Sequence, residues 1–172
     1  KKIDKSSIAR KFSCFKSLEK FLRPRGIALD FKLTRPRVDK KLPVYLSVDE
    51  IFHLLDTVKN SELPSLRPLR DKTILELLYA TGMRCSELVN VQCKNLDIEE
   101  KTILIVGKGN KQRMVLFGEK AKKKILEYLM HERPPVMNKD EYLFLNNRGT
   151  KLTSRTVQRI FEMFRSFLQL GR

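Results

Sequence analysis

One arginine carries the clearest opportunity for chemistry in this sequence. It sits in Ala80-Thr81-Gly82-Met83-Arg84-Cys85-Ser86-Glu87-Leu88, at a turn between two apolar stretches. Glycine lets the chain reverse tightly, and the free amides at the start of the next helix favour an anion. A guanidinium there can grip a phosphate through two parallel hydrogen bonds, and Glu87 is placed to hold it. Taken alone, Arg84 and Glu87 read more often as a plain surface pair.

A second cluster follows in Val106-Gly107-Lys108-Gly109-Asn110-Lys111-Gln112-Arg113, a turn with three cations and two glycines. Such a thin tip can enter a DNA groove, where Lys108 reaches a backbone oxygen; a solvated tip is the bland alternative. The stretch lacks the Gly-x-x-x-x-Gly-Lys-Ser/Thr spacing of a nucleotide-binding loop.

Composition agrees with a polyanionic partner. Lys and Arg number 36 against 20 Asp and Glu, a formal net charge of +16 over 172 residues. Neutralising phosphates with such a surface releases counterions, so nucleic acid is the simplest partner. No apolar run approaches the roughly 20 residues that span a bilayer, and no signal-peptide pattern is visible, so no membrane role is expected. Cys14, Cys85 and Cys93 are odd in number and lack ligand spacing, and His53 and His131 lie far from them, so no metal or other cofactor is expected. Free thiols fit a reducing cytoplasm.

These clusters must be positioned by helices and a small sheet. Ile8, Phe12, Phe15, Leu18 and Leu22 mark a helix from Asp4 that Arg23-Pro24-Arg25-Gly26 ends. Residues 26–46 carry Pro36 and Pro43 among Lys and Arg and read as an extended basic linker. Ser47-Val48-Asp49-Glu50 has capping-box form and opens a helix faced by Ile51, Leu54, Leu55 and Val58. A second helix, with Leu69, Ile74, Leu75, Leu77, Leu78 and Tyr79 expected to be buried, ends at Thr81-Gly82, and a short helix follows near Ser86–Val91. Thr102–Val106 and Arg113–Phe117 form a hairpin, joined through an Asp97–Glu100 turn to an earlier strand. Helix returns at Lys120–His131, Tyr142–Leu145 makes a short apolar piece, and Thr153 caps a last helix with Val157, Ile160, Phe161, Phe164 and Leu168 inward. The fold class is mainly α with a small antiparallel β-sheet (α+β).

The block around Arg84 resembles the first conserved box of tyrosine recombinases, whose Xer branch reads Ala-Thr-Gly-Leu-Arg-x-Ser-Glu-Leu; only Met83 departs. The Gly-Lys-Gly-Asn-Lys-x-Arg turn is similar to that branch's β-hairpin, with Lys108 twenty-four positions after Arg84. Leu42-Pro43 with Leu46-Ser47-x-Asp49-Glu50, and Leu143-Phe144-Leu145-Asn146 with Arg148-Gly149 and Leu152-Thr153, extend the likeness. The opening Ser7–Lys11 to Leu22 resembles the last helix of the family's core-binding domain.

The resemblance implies residues 1–25 as the end of a helical core-binding domain, 26–46 as a linker, and 47–172 as a catalytic domain incomplete at its carboxyl end. It implies strand exchange through a 3′-phosphotyrosyl link, without metal, nucleotide or other cofactor. Arg84 would stabilise the phosphate oxygens, Lys108 would protonate the departing 5′-oxygen, and Glu87 would support Arg84. Lys111, Arg113, Arg10, Lys11 and Arg148 would contact DNA. Expected partners are a double-stranded recombination site, a paired Xer-type recombinase in a tetramer and a septal DNA translocase, in chromosome or plasmid dimer resolution in the cytoplasm.

Family members continue into a His-x-x-Arg box and a late nucleophilic tyrosine. Tyr45, Tyr79, Tyr128 and Tyr142 do not match it, and the chain opens at Lys1 without Met inside a helix, so it reads as truncated at both ends, binding DNA without cutting it. A naturally shortened binding module, a phage or mobile-element integrase, and an unrelated basic nucleic-acid-binding domain are the other readings.

Overall fold

The computed structural model describes residues 3–29, 34–38, 45–107, 109, 111–135 and 141–170. They fall into two units, residues 1–45 and 46–172.

The first unit contains helix α1, Lys5–Leu22, followed by a 3-10 turn at Arg23–Arg25. Gly26, at φ 77°, closes the turn in the left-handed region that glycine enters without penalty. Ile8, Phe15 and Leu18 of the apolar stripe are exposed, while Phe12 and Leu22 are half-buried. Among the described residues this unit has no second helix to cover that stripe. The linker's described residues, 26–29, 34–38, 45 and 46, form neither helix nor strand.

In the second unit, Ser47 caps helix α2, Val48–Phe52, with both halves of the expected box: its hydroxyl accepts from the Glu50 amide, and the Glu50 carboxylate accepts from the Ser47 amide. The helix then widens into a π-turn at His53–Thr57, where the Val58 amide reaches back to the His53 carbonyl at 3.1 Å. This places Leu54, Leu55 and Val58 in the core.

Helix α3, Pro68–Thr81, is central. Residues 70–77 are all buried, although Arg70, Asp71, Lys72 and Glu76 are among them. Distant groups satisfy several of these charges and the helix start. The Glu132 carboxylate takes the Leu69 and Arg70 amides at 2.8 and 2.9 Å, and Lys72 donates to the Val58 carbonyl. Tyr79, expected inside, is 45 % exposed and packs edge-on against Phe52, because the turn that carries it has left the core.

Helix α4, Cys85–Leu88, leads to strands β1 (Leu96–Asp97), β2 (Thr102–Val106) and β3 (Gln112–Leu116), an antiparallel sheet in that order. The Asp97 carboxylate accepts the Glu100 amide and closes the first turn. The register pairs Ile105 with Arg113 and Ile103 with Val115. Helix α5, Glu119–His131, buries Ala121, Ile125 and Tyr128, the last stacked on Phe144. Helix α6, Ser154–Leu170, starts where Thr153 accepts the Thr156 amide, and seats Val157, Ile160 and Phe164 in the core, with Phe161 and Leu168 partly buried.

Candidate active site

Arg84 owes its position to the end of α3. Gly82 adopts φ 61° and its amide bonds the Leu78 carbonyl, turning the chain in a conformation most side chains resist. Met83, 4 % exposed, plugs the core beneath the turn. Arg84 then becomes the residue before α4, its carbonyl taking the Glu87 and Leu88 amides at 2.9 and 3.0 Å.

Glu87 is the node of the site. Its side chain is 5 % exposed, yet its two oxygens accept four hydrogen bonds. Oε2 takes the Arg84 amide at 2.7 Å and Arg113 Nη2 at 2.8 Å; Oε1 takes Arg84 Nη1 at 3.1 Å and Arg113 Nη1 at 2.8 Å. The Arg113 fork, then burial acting the other way, then the Arg84 amide and guanidinium, hold its carboxyl down at about 2. It is therefore ionised throughout the neutral range. Arg84 is 77 % exposed and gives Glu87 only one of its five side-chain N–H groups, leaving donors directed at solvent. Such a half-anchored guanidinium can meet two oxygens of an incoming phosphate.

The sequence expectation for Arg113 needs revision in its geometry. It is no free cation beside the hairpin tip: its fork is committed to Glu87 in a two-bond pair, and that pairing favours its charged form. The cause is the strand register, which turns Arg113 to the same side as Val115, Ile103 and Ile105. Arg113 thereby ties β3 to the helix start that holds Arg84. Gly107 packs against the same node: a Cβ added there would lie 3.5 Å from Glu87 Oε1.

Lys111 is exposed, and its carbonyl takes the Gly107 amide at 2.8 Å at the base of the tip. Gly109 turns at φ 75°. Lys108, like Asn110, lies outside the described residues. Arg148 is exposed on the turn before α6, whereas Arg10 and Lys11 are exposed on α1 in the other unit. Cys85 is partly buried against the core, and burial pushes the Cys93 thiol up. No group of three potential metal ligands occurs among the described residues, and no helix of the described residues is long and apolar enough to cross a membrane.

A family model described as the phage integrase family matches residues 45–167. The chain belongs to the phage integrase family. Within it, the chain is 37 % identical over 161 residues to the tyrosine recombinase XerD of Staphylococcus aureus, covering 91 % of this chain and 54 % of that relative. It is 33 % identical over 159 residues to the tyrosine recombinase XerC of Staphylococcus epidermidis, covering 91 % and 53 %. The crystal structure of XerA recombinase superimposes with a TM-score of 0.59 at 28 % identity, over 96 % of this chain and 56 % of that one. XerH site-specific recombinase bound to difH substrate, in a pre-cleavage complex, gives 0.54 at 28 % identity, over 81 % and 41 %. The chain spans about half the length of the curated relatives it matches. These phage integrase family structures have the same mainly helical fold with a small antiparallel sheet.

Proposed function

We propose that this chain is part of a site-specific DNA recombinase of the Xer type, which cuts and rejoins duplex DNA through a 3′-phosphotyrosyl intermediate. The observation that carries the reading is the Glu87 node. One buried carboxylate holds Arg84 at a helix junction and, through Arg113, holds strand β3 beside it. Arg84 neutralises the charge that builds on the non-bridging phosphate oxygens. Lys108 gives a proton to the departing 5′-oxygen. Glu87 positions Arg84. Residues 1–25 end a core-binding domain, 26–46 form a basic extended linker, and 47–172 belong to the catalytic domain. Lys111, Arg148, Arg10 and Lys11 contact backbone phosphates. Arg113 acts there through Glu87 as well as by its charge.

The four tyrosines support a chain that binds without cleaving by itself. The Tyr128 hydroxyl is buried and donates to the Leu143 carbonyl, with its ionisation opposed by burial. Tyr79 leans on Phe52 and Tyr142 lies under the Lys151 ammonium, while Tyr45 is 81 % exposed in the other unit. The complete enzyme works with a paired recombinase in a tetramer, resolving chromosome or plasmid dimers in the cytoplasm under a septal DNA translocase.

Two measurements test this. The chain should bind a 30-base-pair duplex with affinity that falls steeply as salt rises. In the complete protein, Arg84→Ala should abolish the covalent protein–DNA adduct while changing site affinity only a few-fold. An Arg84→Ala protein that still forms the adduct refutes the assignment.

A further inference from the structure

A second concentration of guanidinium groups lies away from the Glu87 node. Arg70 at the start of α3, the turn Asn146-Asn147-Arg148, and Thr156 with Arg159 on α6 line a recess of about 280 Å³. Arg70 is a fixed cation within it. It is 6 % exposed, donating from Nε to Asp71 at 2.8 Å and from Nη1 to the Leu145 carbonyl at 3.1 Å and Asn147 Oδ1 at 3.4 Å. The turn is rigid too, since Asn146 Oδ1 accepts the Arg148 and Thr150 amides and its Nδ2 donates to the Thr150 hydroxyl.

Arg148 and Arg159 are exposed, and their charges are not offset as those of some lysines elsewhere in the unit are. Lys101, Lys120 and Lys122 each meet a carboxylate, in Glu119, Asp56 and Glu99. Neither the Arg148 nor the Arg159 guanidinium has a hydrogen bond or ion pair among the described residues, and no carboxylate lines the recess. Like charges gathered on a concave surface repel one another and focus a positive potential, and an anion relieves both effects. Guanidinium forks match two oxygens of a phosphate, which an ammonium cannot do. The volume exceeds the ~30 Å³ share of one water several-fold, leaving room for a tetrahedral anion with part of its hydration.

We infer that this recess is a phosphate-binding site, in which Arg148 and Arg159 grip the oxygens above buried Arg70, a fixed guanidinium whose charge Asp71 partly offsets. A backbone phosphate of DNA and a free phosphate present the same oxygens. With duplex as the source the inference rests on the contact proposed above for Arg148 and deepens it; with free phosphate as the source it stands without that reading.

The test uses the chain with Arg148→Gln and Arg159→Gln, both exposed and outside the Glu87 node, and Lys123→Gln on α5 as a matched loss of charge. Anisotropy with a 30-base-pair duplex is read between about 50 and 200 mM salt; loss of one phosphate contact lowers the slope of log affinity against log salt by about 0.9. In parallel, melting is followed with inorganic pyrophosphate at constant ionic strength. A lower slope and several-fold weaker binding in both arginine variants, with Lys123→Gln close to wild type, establish the site with duplex as the source. A pyrophosphate-induced rise in melting temperature that Arg159→Gln removes establishes it with free phosphate as the source. If wild type ignores duplex but keeps that rise, the duplex reading fails and the recess stands. If the arginine variants match Lys123→Gln in both assays, the inference is overturned.

Discussion

Glu87→Gln keeps the shape of the buried side chain and removes its charge, and its cost can be worked from the geometry. The carboxylate accepts four hydrogen bonds, two on each oxygen. An amide can serve one pair with its oxygen, but its NH₂ then faces two donors across the other pair. Lowering a carboxyl from its ordinary 4.5 to about 2 corresponds to about 3 kcal/mol at about 1.4 kcal/mol per pH unit. Arg84 and Arg113 are 77 % and 43 % exposed, so solvent screening reduces this to about 1–2 kcal/mol. Setting the amide against two donors adds about 1 kcal/mol, so the variant should be about 2–3 kcal/mol less stable at pH 7.

The pH dependence has a definite sign. The folded-state value lies below the unfolded one, so the ionised carboxylate stabilises fully above about pH 4.5, and the contribution disappears as pH falls toward 2. Denaturant titrations of wild type and Glu87→Gln should therefore differ most above pH 5.5 and converge near pH 2.5. The comparison cancels the titration of every other carboxyl group. A difference that stays constant from pH 6 to pH 3, or one below about 0.5 kcal/mol at pH 7, would show that the charge at Glu87 does not hold the node together.

Four other outcomes are expected. Lys111→Gln should lower the salt slope of duplex binding by about 0.9 with no change in melting temperature, whereas Arg113→Gln should also lower the melting temperature; equal melting temperatures would leave the Glu87 pair without structural weight. Gly82→Ala meets no steric neighbour, so only its φ of 61° resists, and denaturation should report a loss of about 1 kcal/mol. Phe164→Ala empties a fully buried site on α6 and should cost about 3–5 kcal/mol in the same assay. Burial raises the carboxyl of Glu76 above its ordinary value, which opposes folding once the group is ionised; Glu76→Gln should therefore melt higher than wild type at pH 7 and equal it below pH 4.

Local signals in the sequence proved the most informative. The Ser47–Glu50 box, the Asp97–Glu100 turn and the Thr153 cap each depend on residues three or four apart, and each forms as read. The α3 surface was less legible. Its apolar residues suggest one buried stripe, but Arg70, Asp71, Lys72 and Glu76 are buried as well. Part of what permits this lies more than 60 positions away, in Glu132 and the Leu145 carbonyl, a separation no local pattern encodes. Tyr79 fits the helical period of the buried residues yet is exposed, since burial follows the helix's environment and not its period.

Arg113 illustrates what period-two reading of a strand can and cannot do. Met114 and Leu116 are apolar but 65 % and 73 % exposed, so hydrophobicity alone assigns the faces of β3 wrongly. Register decides instead: Arg113 opposes Ile105, a core residue, and shares its face of the sheet while remaining 43 % exposed. On that face the guanidinium meets Glu87, a buried carboxylate, through two hydrogen bonds. Arg84 binds the same two oxygens' owner, so the strand's register and the arginine's orientation are solved by one group. A shift of β3 by one residue would turn Arg113 to solvent and leave Glu87 with Arg84 alone, so the site is assembled only when the hairpin is in register.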